Sequence, residues 1–589
     1  MAYFPEEIKI KSELQEATTR IPLSCDHVTT MNFGEPNVVY YRHNTPKETW
    51  QGDISVFARP MPMQQPLLGK AVHKLKTYYV PFRTISPQWN AFINKSPYIP
   101  ANGTTPITIQ EMPYFTTKDL EDLLLNPKIA TVVTSSGDFT YQNNEYKLTP
   151  FGRFTLKILE QLGYKLIVDN KVQEHIDGMG LLAFAKVYMD FYYSNMYLDL
   201  TTQAIAVENL FKKDGANAYH ISCTDIINIM TVCQKVFYEA DFFTAQWDNP
   251  SSPNLLSSTG TITLNDISTA HAGIPETIIS NLGNNNTPVI TDSGETAAMR
   301  TPISQYAIDS LKKMTDYCVR YAMAGVREVD RYLARFGVLL AAEKLKRAVY
   351  YGSQETNMEF GAVYSTANTE GANVGDYAGS GTINSDHGEH KHFEIYSEEY
   401  GIILVIGTIL PKIGYYQGID RNNLHHEVET YFSGIFDQLG TQATAQAEVY
   451  VTENLDGPLG GAQILKGIYG YIPRGAEYKT PRDRLTGDFV RRSLNAVAGS
   501  WHLFRTFDDN FFLNDQGSII HSPYFCQMWD SEQYLRIFDN TSEEDGDHFN
   551  VIYQISAEAQ IHAKPLYNTY DFESEGKEIM LNSIGPKQN

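Results

Sequence analysis

From Phe549 to Ala563 the chain reads FNVIYQISAEAQIHA, and every odd position is apolar. Six of the seven even positions are polar, Ile552 being the exception. A period of two puts the apolar side chains on one face of an extended chain, whereas on a helix it would scatter them around the circumference. The run therefore predicts a β-strand buried on one face and roughly 50 Å long, far beyond the usual strand of about 5–6 residues. Such a strand needs a large antiparallel-type sheet beside it. Asp53–Arg59 and His73–Val80 read as strands of the same kind. The prolines of Arg59–Pro66 between them lack the donor a central ladder needs, which predicts a loop or an edge. Tyr400–Leu410 is apolar almost throughout and predicts a strand buried on both faces.

The middle of the chain has another rhythm. Residues 100–175 mix turn residues with short helices such as Thr117–Leu125, and 178–247 are helical and aromatic, running through Leu181–Tyr193. Residues 248–300 are poor in charge and rich in Ser, Thr, Asn and Gly, the composition of a long exposed loop. Thr301 and Pro302 then form a helix start. Ile303, Tyr306, Ala307, Leu311, Met314, Tyr317, Cys318 and Tyr321 follow at helical spacing up to Gly325, and a second helix covers Val326–Phe336. No repeat of about 20–50 residues is visible, which weighs against propellers and solenoids.

The order is thus β, a large mixed insertion, then β. It predicts a mainly β fold: an eight-stranded antiparallel jelly roll (a two-sheet β-barrel) with long helical and loop insertions between strands. Residues 1–99 would hold an N-terminal arm and the first strands, 100–391 the insertions with 248–300 as a surface protrusion, and 392–589 the remaining strands and tail.

Composition narrows the function. The 589 residues include 38 Tyr and 29 Phe, and tyrosine suits large, partly wet interfaces because its ring buries area while its hydroxyl keeps a partner. The net charge of −22 excludes a protein that grips nucleic acid over its whole surface. Nucleic-acid contacts must be local or delegated to a basic partner. Cys25, Cys223, Cys233, Cys318 and Cys526 are dispersed and form no CxxC, so neither a disulfide framework nor a zinc ribbon is supported, and a reducing place of synthesis fits best. The N-terminus has no apolar signal core, and no apolar run approaches the ~20 residues of a membrane span. The expectation is a soluble chain without membrane insertion.

Candidate chemistry is sparse. GxxxxGK[ST], HExxH and GxSxG are absent, and Gly375–Gly381 reads as a flexible turn. Asp386–His392 has the residue types of a metal cluster but abuts a Gly/Ser turn, so a solvated loop is the better reading; His425-His426-Glu427 is read likewise. Glu543–Asp547 fails EF-hand spacing and reads as an acidic turn. Asp248, Asp508, Asp509 and Asp530 stand beside aromatic residues, but no spacing marks a glycosidase pair. Arg327, Arg331 and Arg335 share a helical face, with Lys344, Lys346 and Arg347 close behind and Arg482, Arg484, Arg491 and Arg492 further on. They are candidates for a DNA-facing or subunit-contact role, against the commoner alternative of pairing with Glu328, Asp330 or Asp483.

Several segments, in this order, resemble the major capsid protein of the Microviridae. Leu23–Gly34 (LSCDHVTTMNFG) is similar to that family's opening box, and Arg59, Pro66 and Tyr78–Arg83 (YYVPFR) to its first strands. Tyr238–Trp247, Gly325–Val338 and Val374–Gly381 resemble later boxes. The sharpest are Glu399–Gly407 (EYGIILVIG) and Tyr415–Arg421 (YYQGIDR), and Asp547–Phe549 with Lys564–Tyr567 closes the series. Tyr400, Asp420 and Lys564 depart from the usual residues, and no box anchors 100–175 or 248–300. The resemblance implies a non-enzymatic coat protein without cofactors, assembled through pentamers into a T=1 shell of sixty copies around circular single-stranded DNA. It implies a virion component made in the host bacterial cytoplasm, with surface loops that meet a host receptor. Sixty such chains bring roughly 1,300 negative charges to the DNA, which fits the small basic packaging protein the resemblance also implies. The alternative is a β-sandwich carbohydrate-binding protein or glycoside hydrolase.

Overall fold

The computed structural model describes residues 18–61, 67–100, 105–109, 111–132, 146–165, 174–193, 201–212, 219–239, 241–244, 313, 337, 346–360, 362–364, 377–380, 383–384, 392–425, 431–434, 441–451, 468–473, 475–489, 502–505, 507 and 547–562. The predicted protrusion 248–300 lies outside them, as do the helices expected over 301–336 apart from Lys313.

Two antiparallel sheets carry the fold. Their strands are β1 (Thr18–Pro22), β2 (Cys25–Met31), β3 (Asn37–Asn44), β4 (Glu48–Pro60), β5 (Lys70–Pro81), β6 (Val349–Glu359), β7 (Ile383–Asn384), β8 (Phe393–Ser397), β9 (Gly401–Pro411) and β10 (Phe549–His562). In one sheet β10 lies between β4 and the consecutive β1 and β2, while β7 and β8 pair the far edge of β4. In the other the order is β3, β9, β5, β6. The sheets stack as a sandwich, and no ladder joins them among the described residues. Along the chain β1 and β2 lie in the first sheet, β3 in the second, β4 in the first, β5 and β6 in the second, β7 and β8 in the first, β9 in the second and β10 in the first.

The long alternating run is β10, and its odd residues Phe549, Val551, Tyr553, Ile555, Ala557 and Ala559 are buried. β4 answers with Trp50, Ile54, Val56 and Ala58. Small residues make room for Trp50: Ala559 is its register partner, and a Cβ on Gly52 would strike its ring. β4 starts five residues before the predicted strand, because Glu48 continues the inward alternation as a buried carboxylate paired with Arg42 at 3.0 Å. Arg59 and Pro60, expected in a loop or at an edge, close this strand in register with Asn550 and Phe549. A proline fits at the last ladder position, where a missing N–H leaves no interior gap.

β9 is buried at every position. β3 and β5 flank it, and α3 (Met179–Val187), itself almost wholly apolar, packs over β5 and β9. Tyr400, predicted inside this strand, precedes it and is 40% exposed. The helices α1 (Thr117–Leu125), α2 (Pro150–Gln161), α4 (Thr202–Lys212) and α5 (Cys223–Cys233) belong to the insertion. α1 has the predicted bounds and starts with a reciprocal Thr116/Asp119 capping box, as α5 does with Ser222/Asp225. The expected helix through Tyr193 is α3 followed by a π-helical turn, Tyr188–Tyr192.

Candidate functional site

The opening box and the start of β10 meet in a buried ionic cluster. Glu35 lies between Lys157 of α2, at 2.9 Å, and Lys235 just past α5, at 3.3 Å. Lys157 also reaches Asp547, at 3.1 Å. Asn32 donates to both carboxylates and accepts from the His548 amide, and Thr30 donates to Asp547. Burial alone would raise the Glu35 carboxyl; the two lysines outweigh it and hold it at about 2. Burial would likewise lower Lys157, but Glu35 and Asp547 raise it. His548 beside them is pushed down to about 4, first by burial and then by Lys235. The cluster fastens two helices of the insertion to the sandwich, and breaking such a pair leaves an uncompensated buried charge. Asp547 is thus a paired structural carboxylate, part of the predicted acidic turn; the rest of Glu543–Asp547 is outside the described residues.

A second junction joins the later boxes around a cavity of about 510 Å³, within the range of ligand-sized clefts. Asp241 accepts from the Phe243 and Thr244 amides, at 2.8 and 2.7 Å, and from the Tyr415 hydroxyl, at 2.9 Å. Gln417 clamps Phe507 by donating to its carbonyl, at 2.9 Å, and accepting from its amide, at 2.6 Å. Gly418 runs so close to the Glu448 carbonyl that a Cβ would collide with it. Glu448 accepts from Arg421, at 3.0 Å, and Arg482, at 3.3 Å, and Arg482 also covers the Phe242 ring, at 4.2 Å. Burial raises the Glu448 carboxyl, with the arginines opposing. Arg484 pairs with Asp420 at 3.4 Å. Arg482 and Arg484 are therefore ion-paired, though with Glu448 and Asp420 rather than Asp483. These cleft carboxylates already have partners, which weakens the hydrolase reading.

Of the basic candidates, Lys346 is exposed and Arg347 half-buried; Arg327, Arg331, Arg335 and Lys344 lie outside the described residues, as do Arg491 and Arg492. Arg347 donates to the Asp190 carbonyl, lies 5.2 Å from the Phe191 ring centre, and so holds the start of β6 against the π-helical turn. His392 faces Asp53 at 3.2 Å and His425 stacks on Tyr431; the remaining residues of those histidine motifs, with Asp248, Asp508, Asp509 and Asp530, are outside the description. No group of three or more potential metal-ligating side chains occurs among the described residues.

The outer face of the β10 sheet carries a feature the alternation announced only as an exception. Ile552 is in register with Val28 on one side and Phe57 on the other, and the three are 37%, 69% and 37% exposed.

A sandwich to which long insertions are fastened by buried ion pairs defines a mainly β protein with elaborated loops. The profile of the capsid protein (F protein) family of phages matches residues 229–535, and the chain belongs to that family as a capsid protein of the Microviridae type. It is also similar to the capsid protein VP1 of Chlamydia phage 1, 24% identical over 229 residues. That alignment covers 39% of this chain, which spans 37% of the relative's length. The matched residues enclose the cleft, whereas β1–β5 and β10 lie outside them.

Proposed function

We propose that this chain is the coat subunit of a small icosahedral phage, sixty copies of which form a T=1 shell around circular single-stranded DNA. The observation that carries the proposal is the strand order, β1/β2–β10–β4–β7/β8 in one sheet and β3–β9–β5–β6 in the other, which supports reading the sandwich as a jelly roll. Taken with membership of a capsid family, it supports the reading of the two-sheet sandwich as a shell-forming fold. Pentamers would be the intermediates, a small basic protein would accompany the DNA into a shell of such acidic chains, and Lys346 and Arg347 would belong to a DNA-facing or subunit-contact surface. Residues 248–300 would project outward to a host receptor. Negative-stain microscopy of the expressed chain, with the phage's other structural proteins, tests the proposal: uniform spherical particles support it. A monomer that hydrolyses a glycan, and loses that activity on one Asp or Glu change, overturns it. Trimming 248–300 should leave particles intact and abolish adsorption; lost assembly with intact adsorption would refute the receptor role.

A further inference from the structure

We propose that the Val28–Ile552–Phe57 row is the apolar centre of a contact with a second copy of this chain. The three residues come from distant parts of the sequence and meet only because β2, β10 and β4 pair in this register. Strands about 4.8 Å apart make the row roughly 10 Å wide. A single exposed apolar side chain needs no explanation, but three aligned on adjacent strands form a patch on a sheet face whose neighbouring rows are polar.

The neighbouring rows define the occupant. On one side stand Thr30, Asn550 and Arg59, and on the other Asp26, Gln554 and Ser55, joined to the apolar row through the same ladders. These two rows contain one cation and one anion among hydroxyls and amides. An apolar centre inside a neutral, hydrogen-bonding rim is the anatomy of a protein–protein contact. Two chains at −22 repel wherever their carboxylates face each other, so they approach closely only where the surface is locally neutral. Nucleic acid fits poorly. Further along the same face Asp53, Glu394 and Glu558 outnumber Arg20, and a phosphate backbone needs an excess of cations. The patch is too small for a whole interface, which typically takes about 800 Å² per partner, so it anchors a larger one.

This surface assignment rests on the coat reading for the presence of many copies, but its test is separate. Ile552→Thr keeps a β-branched strand former while removing apolar surface, and Val28→Thr does the same beside it. Sedimentation of the full chain at matched concentrations should show that the double variant needs at least tenfold more protein to associate, with the melting temperature of the unassociated subunit nearly unchanged. In a Cys25→Ser background, which removes the exposed native thiol of β2, Ile552→Cys should give covalent dimers with a short bis-maleimide in the associated state. Oligomers that form without closed shells, yet weaken in the variant, uphold the contact while the coat reading fails. Unchanged association overturns it, as does a monomeric wild-type chain. A lower melting temperature with unchanged association assigns the row to sheet stability, and reduced DNA retention with unchanged association assigns it to nucleic acid; both overturn the proposal.

Discussion

His73 and Tyr553 share a hydrogen bond of 2.8 Å between the two sheets, and both are fully buried. Burial pushes His73 down to about 3, so it stays neutral in the folded chain where an unfolded histidine would take a proton. His548 behaves alike, at about 4. Below the ordinary histidine value of 6.5 the unfolded state binds protons that the folded state refuses, so stability falls as pH drops from there toward these values. The depressed Glu35 carboxyl acts in the same direction later: its contribution is complete above 4.5 and is lost as pH falls to about 2. Urea unfolding at pH 7, 6 and 5 should show a steep loss of stability. His73→Gln should flatten it by up to about 1.4 kcal/mol per pH unit, and an unchanged slope would show that another group titrates. Glu35→Gln should destabilise the chain by about 3–5 kcal/mol at pH 7, because two buried lysines lose their main counter-charge. None of these partnerships is written in local sequence: Glu35 and Asp547 are 512 positions apart, and neither has a neighbour in the chain that predicts its lysine.

At the scale of elements, periodicity was a reliable guide wherever one physical requirement dominated. β10, β5 and β9 follow from alternation or from a continuous apolar run, and α1 from its amphipathic pattern between residues of opposite preference. It was less reliable where a polar residue sits inside. Glu48 hides the first third of β4 because a carboxylate on the core face looks like a loop until Arg42 is placed beside it. The cleft is a further case. The YYQGID segment was notable in sequence, but the reason for its Gln and Gly is tertiary: Gln417 replaces a ladder bond pair to Phe507, and Gly418 lies against the Glu448 backbone. Gly418→Ala should therefore destabilise the chain by about 1–3 kcal/mol through overpacking, seen as a lower urea midpoint with an unchanged slope. Thr116→Ala should cost about 1 kcal/mol by removing the cap of α1, and a cost near zero would mean that packing alone holds that helix.

For the whole molecule the dominant quantity is charge. Copies at −22 repel one another, so added salt should strengthen the proposed self-association. Light scattering between 20 and 300 mM NaCl (about 20 Å falling to about 6 Å in screening length) should show assembly at lower protein concentration as salt rises. A decrease would mean that opposite charges, rather than apolar rows, hold the copies together. The sequence by itself determined that the chain is a β protein with a large insertion, because alternation depends only on which side chains water rejects. It also determined the family resemblance, carried by boxes that the matched span 229–535 covers only in part. Only the tertiary structure decided which strands lie side by side, since pairing depends on contacts hundreds of residues apart. That pairing turned Ile552 from an irregularity in a pattern into the middle of an exposed apolar row, and brought Glu35, Lys157, Lys235 and Asp547 together where neutrality requires all four.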